Sequence, residues 1–222
     1  LIIDKYFIVS IFLVILLFYL YNNYSSYNNH HNKIKFKKEY ILEKNFILKN
    51  TCDDIIKFYE NNIDKLKVKN GGNSYFDDTL IFYKSINDSK IKSIVNTIRQ
   101  EVLSKIKEFY DVKENLFIEQ TNIVKWNKGR ELGEHADNAY SNGKPNYTSW
   151  RTYSAIIFLN KDFSGGEFYF KNPYHEIIPE AGKLVGFGAG TKFMHGVKKV
   201  TDGARYTIAM WFTDNKDKIE SD

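Results

Sequence analysis

The segment that decides the fold of this chain lies near its C-terminal end and reads Arg205-Tyr206-Thr207-Ile208-Ala209-Met210-Trp211-Phe212. Successive side chains of a β-strand point to opposite faces, so the odd-numbered residues of this segment share one face and the even-numbered residues share the other. From Leu116 onward the chain continues in short apolar segments separated by Gly, Asn and Pro. This pattern is typical of short strands joined by turns, and it predicts a jelly roll.

Two helical segments precede these strands. Thr51 or Asp53 can cap a helix that ends near Lys67, and Asn87 can cap a longer helix that ends near Tyr110. In the second helix the apolar residues recur at helical spacing and form one stripe: Ile91, Ile94, Val95, Ile98, Val102, Ile106 and Phe109. We therefore expect an α+β fold, a double-stranded β-helix (jelly roll) with supporting helices packed against one face.

Three residues among the predicted strands have the chemistry of a metal site. His135 and Asp137 are two positions apart, so one strand can direct both side chains to the same face. His195 lies ten residues before Arg205, where a neighbouring strand can bring it to the same place. Two imidazoles and one carboxylate form the facial triad that holds non-haem Fe(II) and leaves coordination positions open. Taken alone, the His-x-Asp triplet is a weak pattern, because most such pairs are ordinary strand or loop residues.

Arg205 adds a second element to the pattern. If its strand runs beside the three candidate ligands, the guanidinium can bind a carboxylate through two parallel hydrogen bonds. A 2-oxoacid with a distal carboxylate fits this arrangement, because it can chelate iron at one end and meet Arg205 at the other. Without the three candidate ligands, Arg205 would be interpreted as an ordinary charge at a strand end.

Three blocks of the sequence, in the same order, resemble a known family. They begin at His135-Ala136-Asp137-Asn138 and continue from Tyr153 to Phe170 and from Gly182 to Thr213. Together they resemble the catalytic domain of the 2-oxoglutarate- and Fe(II)-dependent prolyl hydroxylases. The third block is most similar to the collagen prolyl 3-hydroxylase (leprecan) group, and prolyl 4-hydroxylases share the skeleton less closely. The resemblance covers about residues 115 to 214.

The resemblance implies a role for each candidate residue. His135, Asp137 and His195 would bind Fe(II), and Arg205 would bind the distal carboxylate of the co-substrate 2-oxoglutarate. It also implies O2 as the oxidant and ascorbate as a reductant. Phe158 stands where the family commonly carries a tyrosine whose hydroxyl also reaches that carboxylate. One hydrogen bond is then missing unless Ser154 or a water supplies it, so we expect weaker co-substrate binding with activity retained.

The expected function is the hydroxylation of peptidyl proline, at the 3- or 4-position, in collagen-like or other extended protein substrates. One alternative is a dioxygenase that acts on peptidyl lysine or on a small molecule. The other is a catalytically silent, membrane-tethered peptide-binding module that keeps the fold. The loop after Asp137 carries Tyr140, Tyr147 and Trp150, and it either closes over the substrate or is a mobile surface loop.

Composition limits the classes of partner and of site. The formal charge is +5, of which residues 1–40 contribute +3 through five lysines against Asp4 and Glu39. The other residues carry 27 basic and 25 acidic side chains, and this small excess gives no basis for nucleic-acid binding. The single cysteine, Cys52, excludes an internal disulfide and a multi-cysteine zinc site. We expect it to be a buried or helix-start thiol.

The N-terminal segment is a candidate for membrane insertion. From Tyr6 to Tyr21 only Ser10 interrupts a run of apolar and aromatic residues, which would span about 24 Å as a helix. No cleavage signal follows it. We therefore expect a membrane anchor or signal anchor at residues 1–21, a polar linker at residues 22–38 and a dioxygenase domain at residues 39–216. The family resemblance implies a single-pass protein with its catalytic domain in the endoplasmic reticulum lumen, whereas the lysines of the linker favour the opposite orientation.

Overall fold

The computed structural model describes residues 39–67 and 78–220. The helices are α1 (Lys49–Leu66) and α2 (Ser89–Tyr110). The strands are β1 (Ile41–Glu43), β2 (Leu80–Phe82), β3 (Phe117–Asn127), β4 (Leu132–His135), β5 (Arg151–Phe158), β6 (Phe163–Gly165), β7 (Phe168–Phe170), β8 (His175–Ile177), β9 (Leu184–Gly188), β10 (His195–Val197) and β11 (Val200–Thr213). Short 3₁₀ turns cover Tyr83–Ser85, Thr191–Phe193 and Lys216–Lys218.

The membrane anchor and the polar linker predicted for residues 1–38 lie outside the described residues. Within residues 39–67 and 78–220, no helix has both the length and the apolar character needed to cross a bilayer.

The strands form two antiparallel sheets in the described part of the chain. The larger sheet has the order β1-β9-β5-β11-β3-β2, and β6 pairs with the beginning of β11. The smaller sheet has the order β4-β10-β7-β8. Strand β11 contains the segment from which the fold was predicted, and it lies between β5 and β3. The prediction of a sheet-rich fold with few helices is confirmed.

The larger sheet is buried on both faces, because alternate residues of β11 pack into two different cores. Ile208, Met210 and Phe212 pack with the two helices in one core. Ala209, on the opposite face, packs with the core between the two sheets. That second core contains apolar residues of both sheets: Val124, Trp126, Phe158, Phe168, Phe170, Val185, Phe187, Val197 and Val200. The helices therefore support the outer face of the larger sheet, and its inner face is left to form a cavity wall.

The predicted helix starts are wrong by a few residues. Helix α1 follows Leu48, which makes no side-chain capping bond, so Thr51 and Asp53 both lie inside the helix. Helix α2 is capped by Asp88, whose carboxylate accepts a hydrogen bond from the Ile91 amide at 2.9 Å, and not by Asn87. Asn and Asp are about equally good N-cap residues, so adjacent ones could not be told apart from the sequence.

The buried stripe of α2 is confirmed except at its end, where Phe109 is exposed. Cys52 is confirmed as a buried thiol in α1. Burial raises its pKa to about 11, so the thiol stays protonated at neutral pH.

The end of the described chain also packs on the larger sheet. The Glu220 amide donates to the Ile118 carbonyl at 3.0 Å, and its carboxylate accepts from Nη2 of Arg99 at 2.8 Å. Both side chains of this ion pair are buried. Residues up to Glu220 therefore pack with the larger sheet and α2, and the domain bounds 39–216 stay a prediction.

Candidate metal centre and co-substrate cavity

The smaller sheet brings the two candidate histidine ligands side by side. His135 is the last residue of β4 and His195 is the first residue of β10, and the pairing of these strands places the two residues directly opposite each other. Their ring centroids are 4.3 Å apart. Asp137 lies beyond the end of β4, where its amide donates to the Ala189 carbonyl at 3.0 Å. The expectation that one strand carries both His135 and Asp137 is therefore wrong, although the three side chains do meet.

The distances within this group suit a single metal ion. The candidate ligand atoms of His135, Asp137 and His195 all lie within 4.8 Å of one another. Nε2 of His135 is 3.8 Å from Oδ1 of Asp137, and Nε2 of His195 is 3.8 Å from Oδ2 of the same carboxylate. The two imidazoles thus approach different oxygens of one carboxylate, and all three side chains converge on one point.

Backbone carbonyls set the tautomer of both imidazoles. Nδ1 of His135 lies 2.9 Å from the Gly133 carbonyl, and Nδ1 of His195 lies 2.8 Å from the Phe193 carbonyl. A ring nitrogen that faces a carbonyl carries the proton, so Nε2 keeps the lone pair that a metal requires. Burial lowers the pKa of His195 to about 4, so this ring is neutral at neutral pH.

Asp137 is held by hydroxyl groups from β5 and from the loop before it. The Ser154 hydroxyl donates to Oδ2 of Asp137 at 2.7 Å, and the Thr148 hydroxyl donates to its backbone carbonyl at 2.7 Å. Burial raises the pKa of Asp137, but electrostatic interactions with His195 and His135 and the hydrogen bond from Ser154 outweigh burial and hold the pKa below its usual value. The carboxylate is therefore ionised, as a metal ligand must be.

A cavity lies between the two sheets beside this group. It has about 640 Å³ of empty space, including its open mouth. Arg205 lines it and is 1% exposed, with its guanidinium carbon 4.9 Å from the ring centre of Trp126 and 5.0 Å from that of Phe158. Burial lowers the pKa of Arg205 to about 9, a value at which the guanidinium is still charged at neutral pH.

The guanidinium of Arg205 has unsatisfied hydrogen-bond donors. Its Nε and Nη2 atoms have no hydrogen-bond partner in the part of the chain that the structure describes. A buried cation without a partner is costly, and an anionic ligand would remove that cost. A carboxylate fits best, since it accepts two parallel N–H bonds from one guanidinium.

The residues present therefore fit both groups that the sequence predicts. Two imidazoles oriented by carbonyls and one ionised carboxylate are the donor set of non-haem Fe(II). The unpartnered Arg205 lines the same cavity and fits the distal carboxylate of 2-oxoglutarate.

Three residues of β5 and β11 bear on the expected co-substrate site: Ser154, Phe158 and Thr207. Phe158 is fully buried and offers no hydroxyl, as expected. The Ser154 hydroxyl donates its hydrogen bond to Asp137, so the suggestion that it replaces the missing tyrosine hydroxyl is wrong. Thr207 lines the cavity, on the same face of β11 as Arg205.

The loop after Asp137 is ordered by its own hydrogen bonds. Ala139 and Pro145 form a bridge, and the Tyr140 amide donates to the Lys144 carbonyl at 2.9 Å. Its aromatic residues differ in role: Tyr140 and Tyr147 are 54% and 80% exposed, whereas Nε1 of Trp150 donates to Glu119 at 3.2 Å. Closure of this loop over a substrate stays a prediction. His175 lies exposed in β8.

Comparison with known sequences identifies the region that contains this site. The family described as the 2OG-Fe(II) oxygenase superfamily matches residues 121–213. Prolyl 3-hydroxylase 1 from Homo sapiens is 42% identical over 106 residues, which cover 40% of this chain and 14% of that protein. The chain thus spans 14% of the length of this relative.

Solved structures share the fold at low sequence identity. The viral collagen prolyl hydroxylase from Paramecium Bursaria Chlorella virus-1, in a 2OG complex, has a TM-score of 0.61 and 15% identity, and the match covers 81% of this chain and 97% of that one. A Pseudomonas putida prolyl-4-hydroxylase has a TM-score of 0.59 and 16% identity over 79% of this chain and 92% of that one. These matches confirm the jelly-roll fold. Residues 121–213, which match the 2OG-Fe(II) oxygenase superfamily, include the three candidate metal ligands and Arg205.

Proposed function

We propose that this protein is a 2-oxoglutarate- and Fe(II)-dependent dioxygenase that hydroxylates peptidyl proline, at the 3- or 4-position, in collagen-like or other extended protein substrates. The observation that carries the proposal is the meeting of two features on one cavity. These are the converging ligand atoms of His135, Asp137 and His195, and the buried guanidinium of Arg205 without an anion. A silent peptide-binding module would require neither.

In this proposal His135, Asp137 and His195 hold Fe(II), and Arg205 binds the distal carboxylate of 2-oxoglutarate. The bound iron, with 2-oxoglutarate and O2, supplies the chemistry that oxidises a C–H bond, and ascorbate serves as reductant. The chain itself orients the ligands. The carbonyls of Gly133 and Phe193 fix the imidazole rings, and the Ser154 hydroxyl fixes the carboxylate. The cavity walls beside these ligands are mostly apolar.

Support for proline as the substrate residue comes from the relatives. The human relative is named prolyl 3-hydroxylase 1, and the two solved structures are named as prolyl hydroxylases. An extended polyproline II chain is already ordered before it binds, and its proline rings are accessible to a cavity of this kind. A collagen triple helix would have to open before a proline ring could enter. We therefore propose an unfolded, proline-rich chain as the substrate.

We expect proline-rich collagen-type peptides to gain one oxygen atom per modified proline when incubated with the protein, Fe(II) and 2-oxoglutarate. Mass spectrometry measures the gain, and fragmentation against hydroxyproline isomer standards separates 3- from 4-hydroxylation. The matched control omits 2-oxoglutarate. If proline peptides stay unmodified while lysine peptides or small molecules are oxidised, the prolyl assignment is wrong and the dioxygenase assignment is retained.

We also propose that residues 1–21 anchor the protein in a membrane, that residues 22–38 form a linker, and that the dioxygenase domain predicted at residues 39–216 faces the endoplasmic reticulum lumen. The apolar run from Tyr6 to Tyr21 supports the anchor. We expect the full chain to sediment with membranes and a chain that starts near Lys38 to be soluble and active. Detergent-free fractionation tests this, and recovery of the intact full chain in the soluble fraction would contradict the anchor.

A further inference from the structure

Residues 214–220, here called the strap, run from the end of β11 to the backbone of β3. The strap is anchored at Glu220, whose carboxylate forms the buried ion pair with Arg99. Arg99 is fixed in turn, because its Nε donates to the Thr121 hydroxyl at 3.1 Å and its guanidinium carbon lies 3.6 Å from the ring centre of Tyr83. Removal of one partner of a buried ion pair is costly, so this anchor resists release.

Between its two ends, the strap holds Trp150. Nζ of Lys218 lies 4.0 Å from the ring centre of Trp150, and an ammonium group over an indole face is attracted to it. The turn that contains Lys218 is itself fixed, because Oδ1 of Asn215 accepts from the Asp217 amide at 2.9 Å. Where the strap begins, the Thr213 hydroxyl donates to the Trp150 carbonyl at 2.8 Å. Trp150 is therefore held by its ring and by its backbone.

Trp150 connects the strap to the open end of the cavity. Nε1 of Trp150 and Nε of Arg151 donate to the two carboxylate oxygens of Glu119, at 3.2 and 3.0 Å. The guanidinium carbon of Arg151 lies 4.2 Å from the ring centre of Trp211, which lines the cavity. Trp211 is partly exposed, whereas Arg205 on the same face of β11 is buried, so Trp211 marks the open end. Displacement of Trp150 would therefore loosen the groups that pack on this end.

The metal ligands are held by contacts of their own. The two candidate histidines lie in the paired strands β4 and β10, and the Ser154 hydroxyl holds the carboxylate of Asp137. Arg205 lies inside the sheet, between its neighbours on β3 and β5. Release of the strap should therefore change the open end of the cavity and leave the metal centre and Arg205 in place.

We propose that the strap is a positioning segment for the substrate: Glu220 anchors it, Lys218 holds Trp150, and the open end of the cavity thereby keeps the shape that admits a substrate chain. This inference rests on the proposed function and deepens it. Lys218 and Glu220 are not among the residues that line the cavity, so both act through Trp150 as positioning residues. The strap affects how tightly the extended chain is bound, and not how the metal or 2-oxoglutarate is held.

Amide hydrogen exchange of the full chain tests whether the strap holds Trp150. We expect Lys218→Ala to speed exchange at residues 148–151 by about two- to fivefold, the size of one cation–π contact at an exposed site. Glu220→Ala should speed it by about tenfold or more, because the anchor is a buried ion pair. Adding Lys218→Ala to Glu220→Ala should change little, since a released strap cannot hold Trp150.

Two control variants keep the exchange measurement specific. Lys218→Arg retains the cation and should exchange within about twofold of the wild type. Lys216→Ala makes the same change as Lys218→Ala at another exposed lysine of the same turn, and it should have no effect. Lys218 is itself exposed, so its variants remain informative even if Glu220→Ala does not fold.

Steady-state kinetics with a short Pro-Pro-Gly repeat peptide test the consequence for the substrate. Lys218→Ala and Glu220→Ala should each raise the KM for the peptide by about the factor by which they speed exchange, with kcat retained and the Kd for 2-oxoglutarate unchanged. Partial unfolding would instead lower kcat, because less of the protein would be active. The split between KM and kcat thus separates positioning from stability.

The role of the strap is overturned if exchange at residues 148–151 stays at the wild-type rate in both variants. It is also overturned if exchange rises equally throughout β5 and β11, which indicates global destabilisation, or if exchange rises while the KM for the peptide does not. If the wild type hydroxylates no proline peptide, the proposed function fails and the effect on substrate falls with it. Exchange alone still decides whether the strap holds Trp150, so the two failures are distinguishable.

Discussion

Asp137→Ala, His135→Ala and His195→Ala are each expected to abolish turnover of 2-oxoglutarate and to weaken Fe(II) binding by at least about a hundredfold. Removal of an outer partner of a metal ligand already costs 10- to 100-fold, and loss of a ligand itself should cost more. Asp137→Ala should have the largest effect of the three, because it removes the one anionic ligand, which the fold keeps buried and ionised.

Succinate formation and titration with Fe(II) under anaerobic conditions measure these effects. His175→Ala is the matched control, because it makes the same change at an exposed histidine of β8 in the same small sheet. It should alter neither turnover nor metal binding. Full activity in any one of the three ligand variants would remove that residue from the metal centre.

The sequence predicted the main elements of this fold because its apolar residues recur periodically. The alternation from Arg205 to Phe212 is a property of one strand, and it correctly divides β11 between the helix-side core and the cavity. The alternation of side chains alone also places Arg205 and Thr207 on the same face of β11, which is the cavity side. Predictions of this kind need only the local geometry of one strand, and that geometry follows from the order of its residues.

Details that depend on non-local pairing could not be predicted. That His195 would lie directly opposite His135 depends on the register of β10 against β4, two strands far apart in sequence. The hydrogen bond from Ser154 to Asp137 depends in the same way on how β5 lies against the end of β4. The position of Thr207 opposite Phe158 required the register of β11 and β5. A residue type can indicate a chemical role, but only the register shows its partner.

Arg205→Met is expected to raise the Kd for 2-oxoglutarate by about a hundredfold or more while Fe(II) binding stays close to that of the wild type. The change removes two hydrogen bonds to a charged group, each of which contributes about 1.5–3 kcal/mol, and it leaves the metal ligands untouched. Arg205→Lys should recover little of the loss, because an ammonium group cannot bind a carboxylate bidentately. Titration of 2-oxoglutarate into the metal-loaded variants measures both effects.

The ligand-free state provides an independent check on the same residue. The guanidinium of Arg205 is buried without an anion, so its charge opposes folding until a ligand binds. Arg205→Met should therefore leave the free energy of unfolding of the ligand-free protein unchanged or raise it, whereas added 2-oxoglutarate and metal should stabilise the wild type more than the variant. Denaturant unfolding with and without ligand measures the difference. If the same concentration of 2-oxoglutarate stabilises the wild type and Arg205→Met equally, Arg205 makes no interaction that is specific to the bound state. The residue that binds the distal carboxylate would then lie elsewhere.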